Sequence, residues 1–140
     1  MSNMTFTVDP VAAATQEVAN KLCDLCGRGE HEKAMKELYA ENARHVEVMA
    51  MPGSPWPRII EGKAALEKYS EEWAKMTTVH GCTIGKPMVN GDQFLVEMTL
   101  DATHHEGPMA GQRMQMSEQC LYTVKNGKIA EAKFFYSCGG

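Results

Sequence analysis

The chain of 140 residues carries 18 acidic and 14 basic side chains, a formal net charge of -4. This length suits a single domain with its own core, which we expect to span residues 1–140. The acidic balance argues against a nucleic-acid partner, because contacts to phosphates need a basic face. No stretch approaches the roughly 18 consecutive apolar residues of a membrane-spanning helix, so we expect a cytoplasmic protein with no membrane partner.

The five cysteines predict reduced thiols rather than a disulfide framework. Their number is odd, and a chain of this length can enclose a core without bridges. Cys23 and Cys26 form a CxxC pattern, but it falls inside a helical pattern. We therefore interpret this pair as helix packing.

Three helices are predicted in the first half of the chain. Asp9 followed by Pro10 is typical of a helix start, and the apolar spacing continues to about Gly27. A second helix follows the "GRGE" break and passes into a strand near Arg44. The stretch "AMPGSPWPR" indicates a loop, because its three prolines and one glycine exclude regular structure. A third helix is expected from about 61 to 76.

Strands are predicted in the second half. They cover about residues 79–89, then "QFLVEMTLDAT", then a run after the "HHEGPMAG" break, and finally "KIAEAKFFYS". Asn-Gly turns separate two pairs of them. Helices first and long strands afterwards indicate an α+β fold with a mainly antiparallel sheet. Because such strands can coil around the helices, we expect a cone-shaped, curved sheet around three N-terminal helices with an interior pocket.

One strand carries an isolated carboxylate. In "GQRMQMSEQCLYTVK", alternation puts Glu118 on the same face as two methionines, a cysteine and a tyrosine. A face this apolar suits a cavity better than water, and flexible methionines suit an adaptable apolar ligand. We therefore predict a pocket for an apolar small molecule. The side chains expected to line it are Trp56, Phe94, Val96, Met98, Met116, Cys120, Tyr122, Phe134 and Tyr136, with Ala130 and Ala132 on the same side of the last strand as Phe134.

Four segments, in order along the chain, resemble the nuclear-transport-factor-2-like superfamily, and within it the SnoaL-like and ketosteroid-isomerase-like branches. They are "DLCGRGEHEKAMKELYAENARHVE", "IIEGKAALEKY", "FLVEM" and "LYTVKNGKIAEAKFFYS". The resemblance implies a cone-shaped α+β domain with a deep pocket. It also implies a homodimer formed through the outside of the sheet, where the candidate contributors are Glu97, Thr99, Gln119 and Lys133.

The resemblance also places candidate catalytic residues. Glu47 matches the carboxylate that shuttles a proton next to a carbonyl in ketosteroid isomerases. Cys120 and Leu22 match that branch's two oxyanion donors, so this donor pair is not supplied. SnoaL-like polyketide cyclases depend on an acid of the penultimate strand, which implies a role for Glu118. A carboxyl among methionines is expected to have a raised pKa, which suits acid or base work.

A third branch, similar to limonene epoxide hydrolase, implies an Asp-Arg-Asp set. Glu118, Arg113 and either Glu47 or Asp101 would supply it. Structural roles stay open as well: Glu47 as a salt-bridged residue at a strand end, and Glu118 as a buried carboxylate bound to Arg113, Tyr122 or backbone amides. A further alternative is that the two glutamates pair with each other, one of them holding a proton.

The histidines predict no metal centre. His104 and His105 are adjacent, so on a strand end their side chains point opposite ways and cannot readily share one ion. His45 shares the strand face of Glu47 and is a candidate for orienting that carboxylate. We expect neither a metal nor a cofactor.

Two functions fit these observations. The first is cofactor-independent isomerisation, cyclisation or hydrolysis of an apolar carbonyl-bearing or polycyclic compound, in which Glu47 and Glu118 exchange a proton with the substrate. The second is a non-catalytic ligand-binding or dimerisation module.

Overall fold

The computed structural model describes residues 9–49 and 54–137, which form three helices and a seven-stranded sheet. Within these residues, no helix is both long and apolar enough to cross a membrane. The elements are α1 (Pro10–Gly27), α2 (His31–Leu38), β1 (Tyr39–Glu47), β2 (Ile59–Glu61), α3 (Lys63–Met76), β3 (Thr77–Ile84), β4 (Met88–Asn90), β5 (Gln93–His104), β6 (Arg113–Lys125) and β7 (Lys128–Phe135).

The sheet is mixed but mainly antiparallel. Its strands follow the order β2-β1-β7-β6-β5-β3, and β4 pairs with β5. β1 and β7 run parallel, whereas the other described pairs are antiparallel. α1 packs against β3, β4 and β5, and α3 packs against β1, β2 and β3. The predicted α+β class is confirmed.

The first helix begins where the sequence predicted. The Asp9 side chain accepts a hydrogen bond of 2.9 Å from the Val11 backbone N–H, and Pro10 occupies the first turn, where a missing N–H costs nothing. The helix ends at Gly27, as expected. It buries one apolar stripe against the sheet, of which Leu22 is the most deeply placed large side chain.

Three strand boundaries were predicted wrongly. β1 begins at Tyr39 rather than near Arg44, because a register shift between these two residues breaks the alternation. β2 was not predicted, since a strand of only three residues leaves no periodic signal. α3 begins at Lys63 rather than near residue 61, because β2 occupies Ile59–Glu61. The segment predicted at 79–89 is two strands, β3 and β4, separated around Pro87, which has no N–H to donate to a ladder.

The sheet is tightly packed at one end. There Phe94 of β5 stacks on Tyr122 of β6 with ring centroids 4.8 Å apart, and both rings are almost fully buried. Val96 and Cys120 are register partners in the next row and are equally buried. This end of the sheet therefore forms the core beneath α1.

Candidate functional site

The other end of the sheet is hollow. A cavity of about 340 Å³ lies between α3, the loop around residues 54–57 and the inner side of β1, β5, β6 and β7. A smaller cavity of about 190 Å³ adjoins it beneath α1 and α2. The residues that line both cavities are His45, Tyr69, Trp73, Leu100, Glu118 and Phe134.

Glu118 projects from β6 into this hollow end, beside Met98 of β5. Its pKa is raised from 4.5 to about 7, chiefly because burial disfavours the charged form and secondly because the charge of Glu47 lies nearby. The Cys120 thiol donates to the Glu118 Oε1 atom over 3.7 Å and opposes the shift. Glu118 can therefore hold or release a proton near neutral pH.

Glu47 and His45 form a hydrogen-bonded pair on β1. They are two residues apart on one strand, so both side chains project from the same face. The His45 Nε2 atom lies 2.7 Å from the Glu47 Oε1 atom, whereas the buried His45 Nδ1 atom has no hydrogen-bond partner among the described residues. Glu47 is anchored through its backbone, because its N–H donates to the Arg58 carbonyl over 2.8 Å.

An acceptor on one imidazole nitrogen selects the tautomer of the ring. When the His45 Nε2–H donates its hydrogen bond to the Glu47 carboxylate, the neutral ring has its lone pair on Nδ1. The ring itself is held between Phe134 and Tyr69, at centroid distances of 4.4 and 5.2 Å. The structure thus places a carboxylate–imidazole pair and a second carboxyl group, Glu118, around one cavity.

Trp56 fastens the proline-containing loop to α3. Its indole Nε1 donates to the Glu72 carboxylate over 3.0 Å, and its ring meets Tyr69 edge-on at 4.8 Å. The side chain lies at the wall of the larger cavity. The neighbouring residues 50–53, which complete the predicted loop, lie outside the described part of the chain.

The residues predicted to line the pocket lie in the larger cavity, in the smaller cavity or in neither. Trp56, Met116, Phe134 and Tyr136 line the larger cavity, and Met98, Tyr122 and again Phe134 line the smaller one. Phe94, Val96 and Cys120 line neither, because they belong to the packed end. Alternation identifies the inner face of a strand, but it does not show where along that face packing gives way to a cavity.

Several lining residues were missed from the sequence. Tyr69 and Trp73 lie four residues apart on α3 and line both cavities. The sequence signal that could have identified them as lining residues was their aromatic character. Leu100 of β5 and Met109 of the β5–β6 loop also line the larger cavity.

The epoxide-hydrolase-like set is not assembled. Arg113 makes a bidentate contact with Asp101, at 2.9 and 2.7 Å, rather than reaching Glu118. Asp101 pairs with Gln115, two residues from Arg113 on β6, so the two charged residues are diagonal neighbours on the side opposite Glu118. The structural alternative in which Arg113 neutralises Glu118 is therefore also wrong.

The two neighbouring histidines have separate partners. The His104 Nδ1 atom lies 3.0 Å from the Thr77 hydroxyl, and the His105 Nε2 atom lies 2.6 Å from the Thr78 hydroxyl. In the part of the chain that the structure describes, no three His, Cys, Asp or Glu side chains come together as a metal site would require.

Comparison with known proteins identifies the family. The profile of the SnoaL-like domain matches residues 13–136. A structure from Mesorhizobium loti, provisionally named a SnoaL-like polyketide cyclase, shares 36% sequence identity with a TM-score of 0.77, and the match covers 86% of this chain and 97% of that one. The chain belongs to the SnoaL-like family.

More distant structures share the fold. A protein from Bacillus subtilis, provisionally named an isomerase, is 21% identical with a TM-score of 0.65, and the match covers 89% of this chain and 87% of that one. A protein from Catenulispora acidiphila with a ketosteroid-isomerase-like fold, crystallised with trimethylamine, is 18% identical with the same TM-score, and the match covers 87% of this chain and 86% of that one. No curated protein matches the chain in sequence.

Proposed function

We propose that the chain binds an apolar, carbonyl-bearing small molecule in the larger cavity and catalyses its isomerisation, cyclisation or hydrolysis by acid–base chemistry without a cofactor. One observation carries the proposal: Glu47 and Glu118 line the same cavity, and the pKa of Glu118 lies near 7. A group with such a pKa is present in both protonation states near neutrality and can give or take a proton.

The two carboxyl groups suit complementary roles. Glu118, in its acid form, donates a proton to the substrate's carbonyl oxygen, while the Glu47 carboxylate removes one from the adjacent carbon. In an isomerisation, Glu47 then returns its proton to another carbon, and Glu118 recovers its own from the oxygen. The His45 contact occupies the Glu47 Oε1 atom and orients this carboxylate toward the cavity.

The lining supports an apolar substrate. Met114, Met116 and Leu100 line the same cavity as Glu118, together with the Trp56 and Phe134 rings. A small-molecule site usually contains a few precisely placed polar groups among apolar side chains. The Catenulispora structure supports the use of this fold for holding a small molecule.

The test begins with a thermal-melt screen against steroids, aromatic polyketides, terpenoid epoxides and simple enones. A ligand at about a hundred times its dissociation constant adds roughly 2.7 kcal/mol of stability, which a melt detects. The hits are then assayed for turnover with the wild type and with Glu118→Gln. We expect the substitution to abolish turnover and leave binding nearly intact.

A matched control is Glu17→Gln. The Glu17 side chain is exposed on α1, where it pairs with Lys21 over 3.2 Å, and it lines neither cavity, so removing its charge leaves the site unchanged. Turnover that survives Glu118→Gln at the wild-type rate rules out the acid role. Turnover that is lost equally in Glu17→Gln rules out a specific role for the cavity.

A second candidate function is ligand binding without catalysis. It is favoured by the two positions that match the oxyanion donors: Leu22 has no polar side-chain atom, and Cys120 is buried and lines neither cavity. Oxyanion donors are often the largest single catalytic contribution, so a site without them is weaker as an enzyme. Ligands that bind tightly but are never converted, in wild type and variants alike, support this alternative.

We also infer that the chain forms a homodimer through the outer face of β5, β6 and β7. Leu95 and Leu121 are register partners on that face and remain partly accessible, and Phe135 is 43% exposed. Apolar side chains on an otherwise polar sheet face suit contact with a second copy.

A further inference from the structure

We propose that the larger cavity selects ligands carrying a positively charged nitrogen, which binds beside the Tyr69 ring and the carboxylates of Glu47 and Glu118. The inference names the ligand class of the cavity already described, and it rests on that cavity being the binding site. It adds an electrostatic preference that the apolar lining alone does not provide.

The first support is a continuous aromatic wall. Trp56 contacts Tyr69, Tyr69 contacts His45, and His45 contacts Phe134, with centroid distances of 4.8, 5.2 and 4.4 Å. All four rings line the larger cavity. Aromatic faces carry negative charge density and attract cations, most strongly where water is excluded.

The wall is also fixed in place. The Trp56 indole is tied to Glu72 of α3, and the backbone of β1 holds His45 in register with β2 and β7. Rings held by the protein lose little conformational freedom when a ligand arrives, so more of the interaction appears as affinity.

The second support is the charge of the lining. Glu47, Glu118 and Glu106 all line the larger cavity, whereas no lysine or arginine of the described residues does. All 14 lysines and arginines of the sequence lie within the described part of the chain. Arg58 donates to the Glu47 backbone carbonyl over 3.3 Å, but its side chain is exposed and does not line the cavity.

This imbalance discriminates between ligands of different charge. An anionic ligand would leave water for a cavity without a lysine or arginine counter-charge and would face carboxylates, which is unfavourable. A neutral ligand gains from apolar burial alone. A cation gains from apolar burial, from the ring faces and from the carboxylates.

The protonation of Glu118 gives the preference a pH signature. The titratable groups that surround Glu118 are Glu47 and His45 of β1, Tyr69 of α3, Cys82 of β3, and Cys120 and Tyr122 of β6. Burial raises the pKa of each of these thiols and phenols, which keeps them neutral near pH 7. A bound cation favours the charged form of Glu118, so its binding releases a proton and tightens as the pH rises from 6 to 8.

The experiment compares three probes of one shape: choline, 3,3-dimethylbutan-1-ol and 3,3-dimethylbutanoate, with charges of about +1, 0 and −1 at neutral pH. Dissociation constants are measured by ligand-observed NMR at pH 6, 7 and 8. We expect choline to bind about tenfold or more tighter than the alcohol, and the carboxylate to bind most weakly. The choline constant, but not that of the alcohol, should fall with rising pH.

Variants locate the effect. Glu118→Gln should weaken choline binding several-fold and leave binding of the alcohol unchanged, whereas Glu17→Gln should alter neither. Trp56→Leu should weaken choline more than the alcohol. Equal or tighter binding of the alcohol, absence of choline binding, or a preference for choline that Glu118→Gln leaves intact would each overturn the proposal.

The experiments distinguish a failure of the cation preference from a failure of the proposed catalysis. Turnover of a neutral carbonyl compound without any preference for choline means that the catalytic proposal stands and the cation preference is wrong. A preference for choline in a protein that converts nothing in the screen means the reverse.

Discussion

The stability of the folded chain is coupled to the protonation of one side chain, Glu118. Its folded-state pKa is about 7, above the value of 4.5 for an unperturbed glutamic acid. The native chain therefore binds this proton more tightly than the unfolded chain. The stabilisation is full below pH 4.5 and is lost as the pH rises through 7, leaving a cost on the order of 3 kcal/mol at high pH.

Glu118→Gln should remove this dependence. Relative to the wild type, the variant is expected to gain stability between pH 4 and pH 8.5 by an amount on the order of 3 kcal/mol. Urea denaturation at the two pH values measures it, and effects of other carboxyl groups cancel in the difference. A gap between the two proteins that stays constant with pH would show that the Glu118 carboxyl is not perturbed.

At the scale of residues, the sequence showed which side chains face inward but not what they contact. Period-two alternation placed Glu118 and Met116 on the inner face of β6, and they do lie there. It could not show that Arg113 bonds to Asp101 across the sheet, since that contact depends on the register of β5 with β6. The contact between His45 and Glu47 could be predicted, because the two residues are two positions apart on one strand and project from the same face.

At the scale of elements, the β6–β7 hairpin depends on a turn that only some residues adopt. Asn126 and Gly127 both have positive φ angles, of 53 and 74°. This is the geometry of a tight two-residue hairpin turn, which matches the twist of the flanking strands. The turn sets the register that carries Glu118 on β6 and Phe134 on β7 to the cavity.

Gly127→Ala should destabilise the chain by about 1 kcal/mol, because a Cβ atom is strained at positive φ. The control is Gly81→Ala in β3, where φ is not in the positive region and an added Cβ meets nothing within 4 Å. That change should be neutral or slightly stabilising. Urea midpoints measure both, and equal effects at the two positions would contradict the role given to the turn.

A bulge explains why one face of β7 was predicted only in part. The register moves from Thr123 opposite Glu131 to Val124 opposite Ile129, which inserts one extra residue. Ile129 is consequently fully buried, in the place expected for Ala130, which is half-buried. Ala132 and Phe134 lie inward as predicted. A bulge shifts the inward–outward alternation by one residue, and no local sequence pattern predicts its position.

At the scale of the whole molecule, burial changes along a single strand. On the inner face of β6, Met114, Met116 and Glu118 are half-buried, whereas Cys120, Tyr122 and Val124 are buried. The first three line the hollow end or its mouth, and the last three belong to the core. One end supplies stability and the other supplies the cavity, so an ionisable group can be partly desolvated without interrupting the core.

The outer face of the same sheet defines the proposed dimer, and Leu121→Lys tests it. Leu121 lies opposite Leu95 on one side and Lys133 on the other. A new cation there would lie beside Lys133 and, across a symmetric interface, would repel its own copy.

We expect sedimentation velocity to show a dimer for the wild type and a monomer for Leu121→Lys. The control, Ala14→Lys on the exposed side of α1, should stay dimeric. A wild-type monomer, or a Leu121→Lys dimer of undiminished affinity, would show that this face is not the interface. Because Leu121 points away from the cavity, ligand affinity should be the same in all three proteins.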